Sequence, residues 1–214
     1  IKIFNEIERL IGPKTLIITP CTSIPFWWYV GQKLIEKKIF EKKLNKILLT
    51  NIKRENIVAM TMWLSGKKIS PGKFKISHVQ RGYPIKEVFK KNKKKVDILR
   101  NDLRLKTMSP IIKDIYFESF SKSINSLAFN LIALKYKQNN FELKNNKIAV
   151  KEIHSILTEG DNFLKKFKIK IIQSSKSRID QTLKSNRHTM SMLSALRQGK
   201  KIELTNLVKN FKKI

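Results

Sequence analysis

The sequence has one cysteine, few glycines and no long apolar run. The single cysteine among 214 residues, Cys21, cannot form a disulfide within the chain. Without a second cysteine or a histidine near it in sequence, it cannot build a structural zinc site either. Pro20, Pro25 and Gly31 interrupt the most hydrophobic stretch, and no segment reaches the roughly 20 apolar residues that a spanning helix needs. We therefore expect a soluble protein, or a component of an assembly, with no membrane span.

Acidic residues are also scarce, which leaves a large positive charge. The chain has 46 lysines and arginines against 16 acidic residues, a formal net charge of +30. Such a charge repels itself in a compact fold unless a polyanion is bound, and nucleic acid is the favoured partner. An anionic membrane surface is the alternative, but the basic residues are spread from Lys2 to Lys213 rather than clustered beside an apolar segment.

Sequence motifs for catalysis are missing. A basic nuclease or intron maturase, the enzyme alternative, needs closely placed carboxylates to hold metal ions. The aspartates are dispersed instead, at positions 97, 102, 114, 161 and 180. His78, His154 and His188 lack metal-ligand spacing, and no Gly-x-x-x-x-Gly-Lys loop is present for nucleotide phosphates. The sequence therefore predicts no enzyme, no metal and no cofactor.

Hydropathy patterns predict several helices and strands in the first half of the chain. Lys46–Leu49 is a short β-prone run, and Ile57, Met60 and Leu64 then recur at helical spacing before Gly66. Residues 67–82 contain Pro71, Gly72 and several basic residues, which predicts a basic loop or a hairpin. Trp63 is expected in the core.

The second half is predicted to be largely helical, with one strand. Residues 124–137 fit either a helix or a buried strand, and Ser177–Asp180 resembles a capping box that begins a helix ending at Gly199. Residues 166–171 alternate strictly between lysine and apolar residues. A strand there would bury Phe167, Ile169 and Ile171 and present Lys166, Lys168 and Lys170 on one face. Lysines at that spacing suit a phosphate backbone, whereas the alternative is an ordinary solvated face.

Composition and pattern divide the chain into three parts. Residues 1–43 form an N-terminal extension with the aromatic cluster Phe26, Trp27, Trp28 and Tyr29, followed by a helix through Leu34, Ile35 and Ile39. The cluster either stacks on unpaired bases or closes a core. Residues 44–199 form the main α+β domain, and residues 200–214 form a basic tail that is either a short helix or an extension.

A series of weak motifs in residues 44–199 resembles universal large-subunit ribosomal protein five. The order matches that family: Lys46-Ile47-Leu48-Leu49, Leu64-Ser65-Gly66, Gly82-Tyr83-Pro84-Ile85, Pro110-Ile111-Ile112-Lys113-Asp114, Glu152-Ile153 and Met192-Leu193-Ser194-Ala195-Leu196. The family's Asn-Met-Gly after the first strand is replaced by Thr50-Asn51-Ile52, with Asn51 the nearest polar substitute.

The resemblance implies an α+β fold, an antiparallel β-sheet with helices packed on one face, plus the N-terminal extension. It also implies a structural constituent of the large ribosomal subunit that binds 5S rRNA or its replacement in the central protuberance and contacts P-site tRNA and a small-subunit head protein. The chain is rich in Lys, Ile, Asn and Phe and poor in Gly and Ala, which is typical of proteins encoded by AT-rich genomes. This composition favours a mitochondrial or other organellar location. The residues expected to contact rRNA are Lys46, Asn51, Lys53, Lys67, Lys68, Lys166, Lys168, Lys170 and Lys176, and those expected in the tRNA-proximal loop are Lys73, Lys75, Gln80 and Arg81.

Overall fold

The computed structural model describes residues 10–12, 14–21, 23–25, 27–28, 54–89, 92–102, 109–184, 188–202 and 204–211. The chain divides into two units, residues 1–115 and residues 116–214. All of the described strands lie in the first unit, and the second is helical in its described part. The protein is therefore a mixed α and β protein, which confirms the predicted fold class in its coarser form.

The first unit is built on a small mixed sheet. The described strands are β1 (Ile17–Cys21), β2 (Ile57–Thr61), β3 (Trp63–Ser70), β4 (Lys73–Gly82) and β5 (Ile85–Glu87). Strands β1, β2 and β5 form this sheet, whereas β3 and β4 form a separate two-stranded sheet. Strand β2 pairs in parallel with β1 and antiparallel with β5. A parallel pair needs a long crossover connection, and the residues between Cys21 and Ile57 are numerous enough to provide it. The sheet is therefore mixed rather than antiparallel throughout.

The helix predicted through Ile57, Met60 and Leu64 is wrong, because these residues lie in β2 and β3. Ile57, Val58 and Ala59 are all buried, so β2 is covered on both faces. A central strand that is buried on both faces is typically a continuous apolar run. Pairing with a strand on each side stabilises it even though its apolar residues also fit a helical spacing.

The hairpin predicted for residues 67–82 is confirmed. Strands β3 and β4 pair antiparallel, and the turn between them is formed by Pro71 and Gly72, which has a φ of 73°. Glycine adopts this left-handed conformation without a steric cost. Ile69, Phe74 and Ile76 are exposed on the hairpin.

The three tryptophans of the first unit belong to its core. Trp27 and Trp28 are fully buried, and Trp27 Nε1 donates to Thr19 Oγ1 at 3.0 Å. Thr19 Oγ1 in turn donates to the carbonyl oxygen of Val58 at 3.1 Å. The core interpretation is confirmed for both tryptophans and for Trp63. The positions that lie outside the described residues are Phe26, Tyr29, the predicted helix through Leu34, Ile35 and Ile39, and the predicted strand Lys46–Leu49.

Seven α-helices have bounds within the described residues. They are α1 (Lys93–Asp102), α2 (Ile115–Tyr136), α3 (Asn140–Asn145), α4 (Lys147–Lys166), α5 (Ser175–Leu183), α6 (Ser191–Arg197) and α7 (Leu204–Phe211). In the first unit, Val96 of α1 packs against Val58 and Ile85 of the sheet. Helix α2 decides the open question for residues 124–137 in favour of a helix, and α7 confirms the helical alternative for the tail.

The strand predicted for residues 166–171 is wrong. Helix α4 continues to Lys166, and the amide of Ile169 donates back to the carbonyl oxygen of Leu164 at 3.1 Å. The rings of Phe163 and Phe167, one helical turn apart, are in contact with centroids 4.9 Å apart, which stabilises the helix end instead of an extended chain. Lys168 adopts a φ of 57° and reverses the chain. The three exposed lysines therefore share no sheet face.

The helix predicted from Ser177 to Gly199 is two shorter helices, α5 and α6. The N-cap of α5 is Ser174, three residues before the predicted cap Ser177, and its hydroxyl accepts a hydrogen bond from the amide of Ser177. Gly199, with a φ of 64°, follows the end of α6 as predicted. The division into residues 1–43, 44–199 and 200–214 stays a prediction.

Candidate functional site

Helix α2 has an unusual number of buried polar residues. Those with less than a tenth of their surface exposed are Glu118, Ser119, Ser121, Ser123, Asn125 and Asn130. A buried polar group costs free energy unless it is hydrogen-bonded, so each of them needs a partner or a role.

One side of α2 uses its polar residues to hold the helical unit together. Ser123 Oγ donates to the carbonyl oxygen of Ser119 at 2.9 Å. Asn130 Oδ1 accepts a hydrogen bond at 3.0 Å from the amide of Met192 in the first turn of α6. This asparagine satisfies an amide that has no partner within its own helix. These residues therefore have a structural explanation.

A second side of α2 carries Glu118, Ser121, Lys122 and Asn125, which we call the polar row. The spacing i, i+3, i+4 and i+7 places the four residues on one face of the helix. The row combines a carboxylate, a hydroxyl, an ammonium and an amide. Lys122 is half-buried, and the other three residues are buried. Such convergent polar groups on a largely apolar helix are typical of a ligand site.

Two members of the row have unused hydrogen-bonding capacity. Ser121 is 1% exposed, and its Oγ has no hydrogen-bond partner among the described residues. Asn125 makes one hydrogen bond within the described part of the chain, in which its Oδ1 accepts from Arg178 at 3.4 Å. The Asn125 NH₂ group therefore donates to no described residue. These two groups lie one helical turn apart.

Lys122 adds a titratable cation between these two groups. Burial lowers the pKa of its ammonium from the usual 10.5, because desolvation disfavours the charged form. A lysine with a lowered pKa gives up its proton more easily, and such perturbed groups are concentrated in functional sites. Glu118 lies one turn before Lys122 on the same face.

The row ends at a buried ion pair between Asp161 on α4 and Arg178 on α5. The Arg178 guanidinium donates to Asp161 Oδ1 through one terminal nitrogen and to Asn125 through the other. Burial raises the pKa of the Asp161 carboxyl, and the charge of Arg178 acts in the opposite direction. The pair therefore connects three helices of the second unit at the position of the row.

A groove along the exposed side of α4 is the other concave region of interest. It has a volume of about 580 Å³ and is lined by Lys151, His154, Ser155, Thr158, Glu159, Asn162, Phe163 and Lys166. His154 is exposed and lies within 3.4 Å of Thr158 Oγ1 and 3.3 Å of Ser175 Oγ. Within the described residues, no buried polar atom lacking a partner lines this groove. The polar row is therefore the stronger candidate.

The residues predicted to bind RNA are divided between the two units. Lys67 and Lys68 lie on β3 and Lys73, Lys75, Gln80 and Arg81 on β4, whereas Lys166 ends α4, Lys168 and Lys170 follow it, and Lys176 is on α5. Lys46, Asn51 and Lys53 lie outside the described residues. Contact of these residues with RNA is not tested by the structure.

The described part of the chain contains no cluster of three or more histidine, cysteine, aspartate or glutamate residues that could hold a metal ion. None of the helices that the structure describes has the length and apolar character required to cross a membrane.

Comparison with known proteins identifies the fold. No protein-family model and no curated protein matches the sequence. Solved structures do match. A D-mandelate dehydrogenase determined with NADH and anilino(oxo)acetate has a TM-score of 0.72 at 15% identity over 99% of this chain and 66% of its own. The chain shares the fold of these reductases.

Two further structures give the same result. The 2-dehydropantoate 2-reductase from Geobacter metallireducens GS-15 has a TM-score of 0.65 at 13% identity over 96% of this chain and 73% of its own. The enzyme with the same name from Methylococcus capsulatus has a TM-score of 0.63 at 12% identity over 98% of this chain and 63% of its own. The chain thus spans about two thirds of the length of the solved proteins it matches.

The predicted membership of the ribosomal protein family is wrong, because the fold is that of dehydrogenases and reductases. The predictions that depended on this family are contradicted with it: a structural role in the large ribosomal subunit, rRNA, P-site tRNA and ribosomal proteins as partners, and a protein that is not an enzyme. The alternative, an intron maturase or nuclease, has no support from this fold. Short motifs such as Gly82-Tyr83-Pro84-Ile85 occur in the right order, but in this chain they belong to a different topology.

The polar row was missed in the sequence although it has a recognisable pattern. Helix α2 is largely apolar, and polar residues at 118, 121, 122 and 125 repeat at helical spacing within it. The pattern of residues 124–137 fits both a helix and a strand, and only a helix places Asn125 on the same face as the three polar residues before it.

Proposed function

We propose that the chain supplies the substrate-binding helices of an oxidoreductase that acts on a small 2-oxo or 2-hydroxy carboxylic acid. The polar row carries this proposal, because a buried hydroxyl and a buried amide with unused hydrogen-bonding capacity flank a lysine of lowered pKa. The reductase fold supports it, since the solved structures that share the fold include a D-mandelate dehydrogenase and 2-dehydropantoate 2-reductases.

The chemistry of the row suits such a substrate. The Asn125 NH₂ group and the Ser121 hydroxyl can donate to the oxygen atoms of a carboxylate or a 2-oxo group. The Lys122 ammonium can pair with the negative charge of the carboxylate and donate a hydrogen bond to a 2-oxo oxygen. The net charge of +30 attracts anions to the protein as a whole.

The residues present do not fit a dinucleotide cofactor. A Gly-x-Gly-x-x-Gly turn after a parallel strand is the usual cradle for its pyrophosphate. The closest two of the seven glycines, Gly66 and Gly72, are six residues apart, so the motif is absent from the sequence. Strand β1 is followed by Thr22–Pro25, without a glycine. We therefore derive no hydride-transfer step from this chain.

The test is calorimetric titration of the chain with anilino(oxo)acetate. We expect saturable binding that weakens at least about tenfold in Lys122→Met, because loss of a charged hydrogen-bonding partner costs about 1.5–3 kcal/mol. Lys144→Met, at an exposed lysine on α3, is the matched control and should bind as the parent does. Acetate is the control for general anion attraction. Equal weakening in both lysine variants, or no binding, would contradict the proposal.

Three further predictions stay proposals. The organellar location is supported only by the amino-acid composition, which is typical of an AT-rich genome. The packing of helices on one face of the sheet is supported by the contact of Val96 with Val58 and Ile85. The boundaries at residues 43 and 199 await limited proteolysis.

A further inference from the structure

Arg178 and Asp161 form a buried pair that the proposed chemistry does not use directly. The side chain of Arg178 is 1% exposed and that of Asp161 is 11% exposed. A pair of this kind gains little net stability over a well-packed apolar pair, because both charges lose their hydration. The pair has a further contact, the hydrogen bond from Arg178 to Asn125.

The hydrogen-bonding chemistry of arginine fixes the direction of the Asn125 amide. A guanidinium group has donors only, so the end of the amide that faces it must be the oxygen. Asn125 Oδ1 accepts from Arg178 at 3.4 Å, and the NH₂ group is left as the donor end of the amide. Asp161 holds the guanidinium in turn, and this prevents it from rotating away.

We propose that Arg178, held by Asp161, is a positioning residue that presents the Asn125 NH₂ group as a fixed donor to the substrate and so selects a carboxylate over a carboxamide. This inference rests on the proposed function. An amide that was free to flip would offer either a donor or an acceptor, and would accept both ligands. A fixed NH₂ group favours a ligand whose end has acceptors only.

The test compares anilino(oxo)acetate with its neutral carboxamide analogue. The carboxylate is an anion with acceptors alone, and the carboxamide is neutral and has a donor as well. Because this difference in charge is the same for every variant, the change of the ratio from parent to variant is what reports on Asn125. The measured quantity is the ratio of their dissociation constants. We expect the parent chain to favour the carboxylate by at least about tenfold, a difference of about 1.4 kcal/mol.

The first variant is Asn125→Asp, which keeps an oxygen for Arg178 and replaces the NH₂ group by a second oxygen. We expect the preference to disappear or reverse, because an anionic acceptor now faces the carboxylate. The fold should tolerate this change, since the new carboxylate also pairs with Arg178. An unaltered ratio in Asn125→Asp would overturn the proposal.

The second pair of variants separates positioning from a purely structural role. Arg178→Met removes every donor, so the ratio should fall towards one. Arg178→Gln retains an NH₂ donor for Asn125 Oδ1 and should restore part of the preference, even where its stability resembles that of Arg178→Met. If the ratio of dissociation constants in the two variants follows their stability, and not the presence of a donor at position 178, a positioning role is contradicted. If Arg178→Met does not fold, Asn125→Asp and Arg178→Gln still decide the question.

Failure of the two proposals can be distinguished. If the parent chain binds neither probe, the proposed function fails and this inference fails with it. If the parent binds the carboxylate through Lys122 but the ratio is the same in Asn125→Asp, only the positioning role fails.

Discussion

Gly160 of α4 lies directly against Ile124 of α2. A Cβ atom placed on Gly160 would be 2.8 Å from Ile124 Cγ1 and 3.3 Å from a ring carbon of Phe120. The absence of a side chain at this position lets the two helices approach closely, immediately beside the polar row. The ring of Phe120 also stacks on that of Phe163, with centroids 5.4 Å apart.

We expect Gly160→Ala to destabilise the second unit. A contact of 2.8 Å belongs to the upper part of the range for overpacking, about 2–3 kcal/mol. The better helix propensity of alanine returns about 1 kcal/mol, so the expected net loss is about 1–2 kcal/mol. Urea unfolding measures it. Glu159→Ala, at the exposed neighbouring position on α4, is the control and should change stability by less than about 0.5 kcal/mol. Equal stability of the parent and Gly160→Ala would show that the helices are less closely packed.

Removal of Arg178 should have a much larger effect than removal of a surface arginine. Arg178→Met leaves the Asp161 carboxylate buried without its cation, which costs about 3–5 kcal/mol. Arg197 is exposed and donates to the carbonyl oxygen of Lys137 at 2.9 Å, so Arg197→Met should cost under about 1 kcal/mol. Denaturant unfolding of both variants gives the comparison. Similar losses would mean that the Arg178 pair is accessible to water.

The lowered pKa of Lys122 predicts a pH dependence of stability. The folded chain binds fewer protons at this site than the unfolded chain between the folded pKa and 10.5, so the free energy of unfolding rises with pH across that window. Lys122→Met should lack this contribution, whereas Lys144→Met should retain it. The measurement is the urea midpoint of the three chains from neutral pH to 10.5. Parallel curves for the parent and Lys122→Met would contradict burial of the ammonium.

The capping box before α3 predicts a difference between two substitutions at one position. The Asn139 side chain accepts from the amide of Glu142 at 3.0 Å, and the Glu142 carboxylate accepts from the amide of Asn139 at 2.7 Å. Asn139→Ala should cost about 1 kcal/mol, because it removes the cap. Asn139→Asp retains an acceptor next to the helix N-terminus and should be near neutral. Equal costs, measured by thermal unfolding, would rule out capping as the cause.

Local chemistry in the sequence predicted the turns and stops better than the strands. Pro71 and Gly72 mark a turn whose geometry only a few residue types adopt, and Gly199 ends α6 for the same reason. The strand assigned to residues 166–171 is wrong because the alternation of lysine and apolar residues ignores the contact between Phe163 and Phe167. A local hydropathy pattern contains no information on strand pairing or on contacts between aromatic rings.

The candidate site was harder to predict than the fold class. Lys168 and Lys170 were given a functional role because the charge of the chain is large. Both are exposed, with Lys168 in the turn after α4 and Lys170 in the irregular segment that follows it. The polar row depends instead on burial, which brings Asn125 to Arg178 across 53 residues of sequence. Long-range contacts of this type become visible only in the folded chain.

The most direct test of the account is an NMR titration of the isotope-labelled chain with anilino(oxo)acetate. We expect the largest shift changes in the residues of the polar row, Glu118, Ser121, Lys122 and Asn125, with saturation of the Asn125 side-chain NH₂ signals. Changes confined to the groove lined by Lys151, His154 and Lys166, or the same changes with acetate, would contradict a 2-oxo acid site on α2.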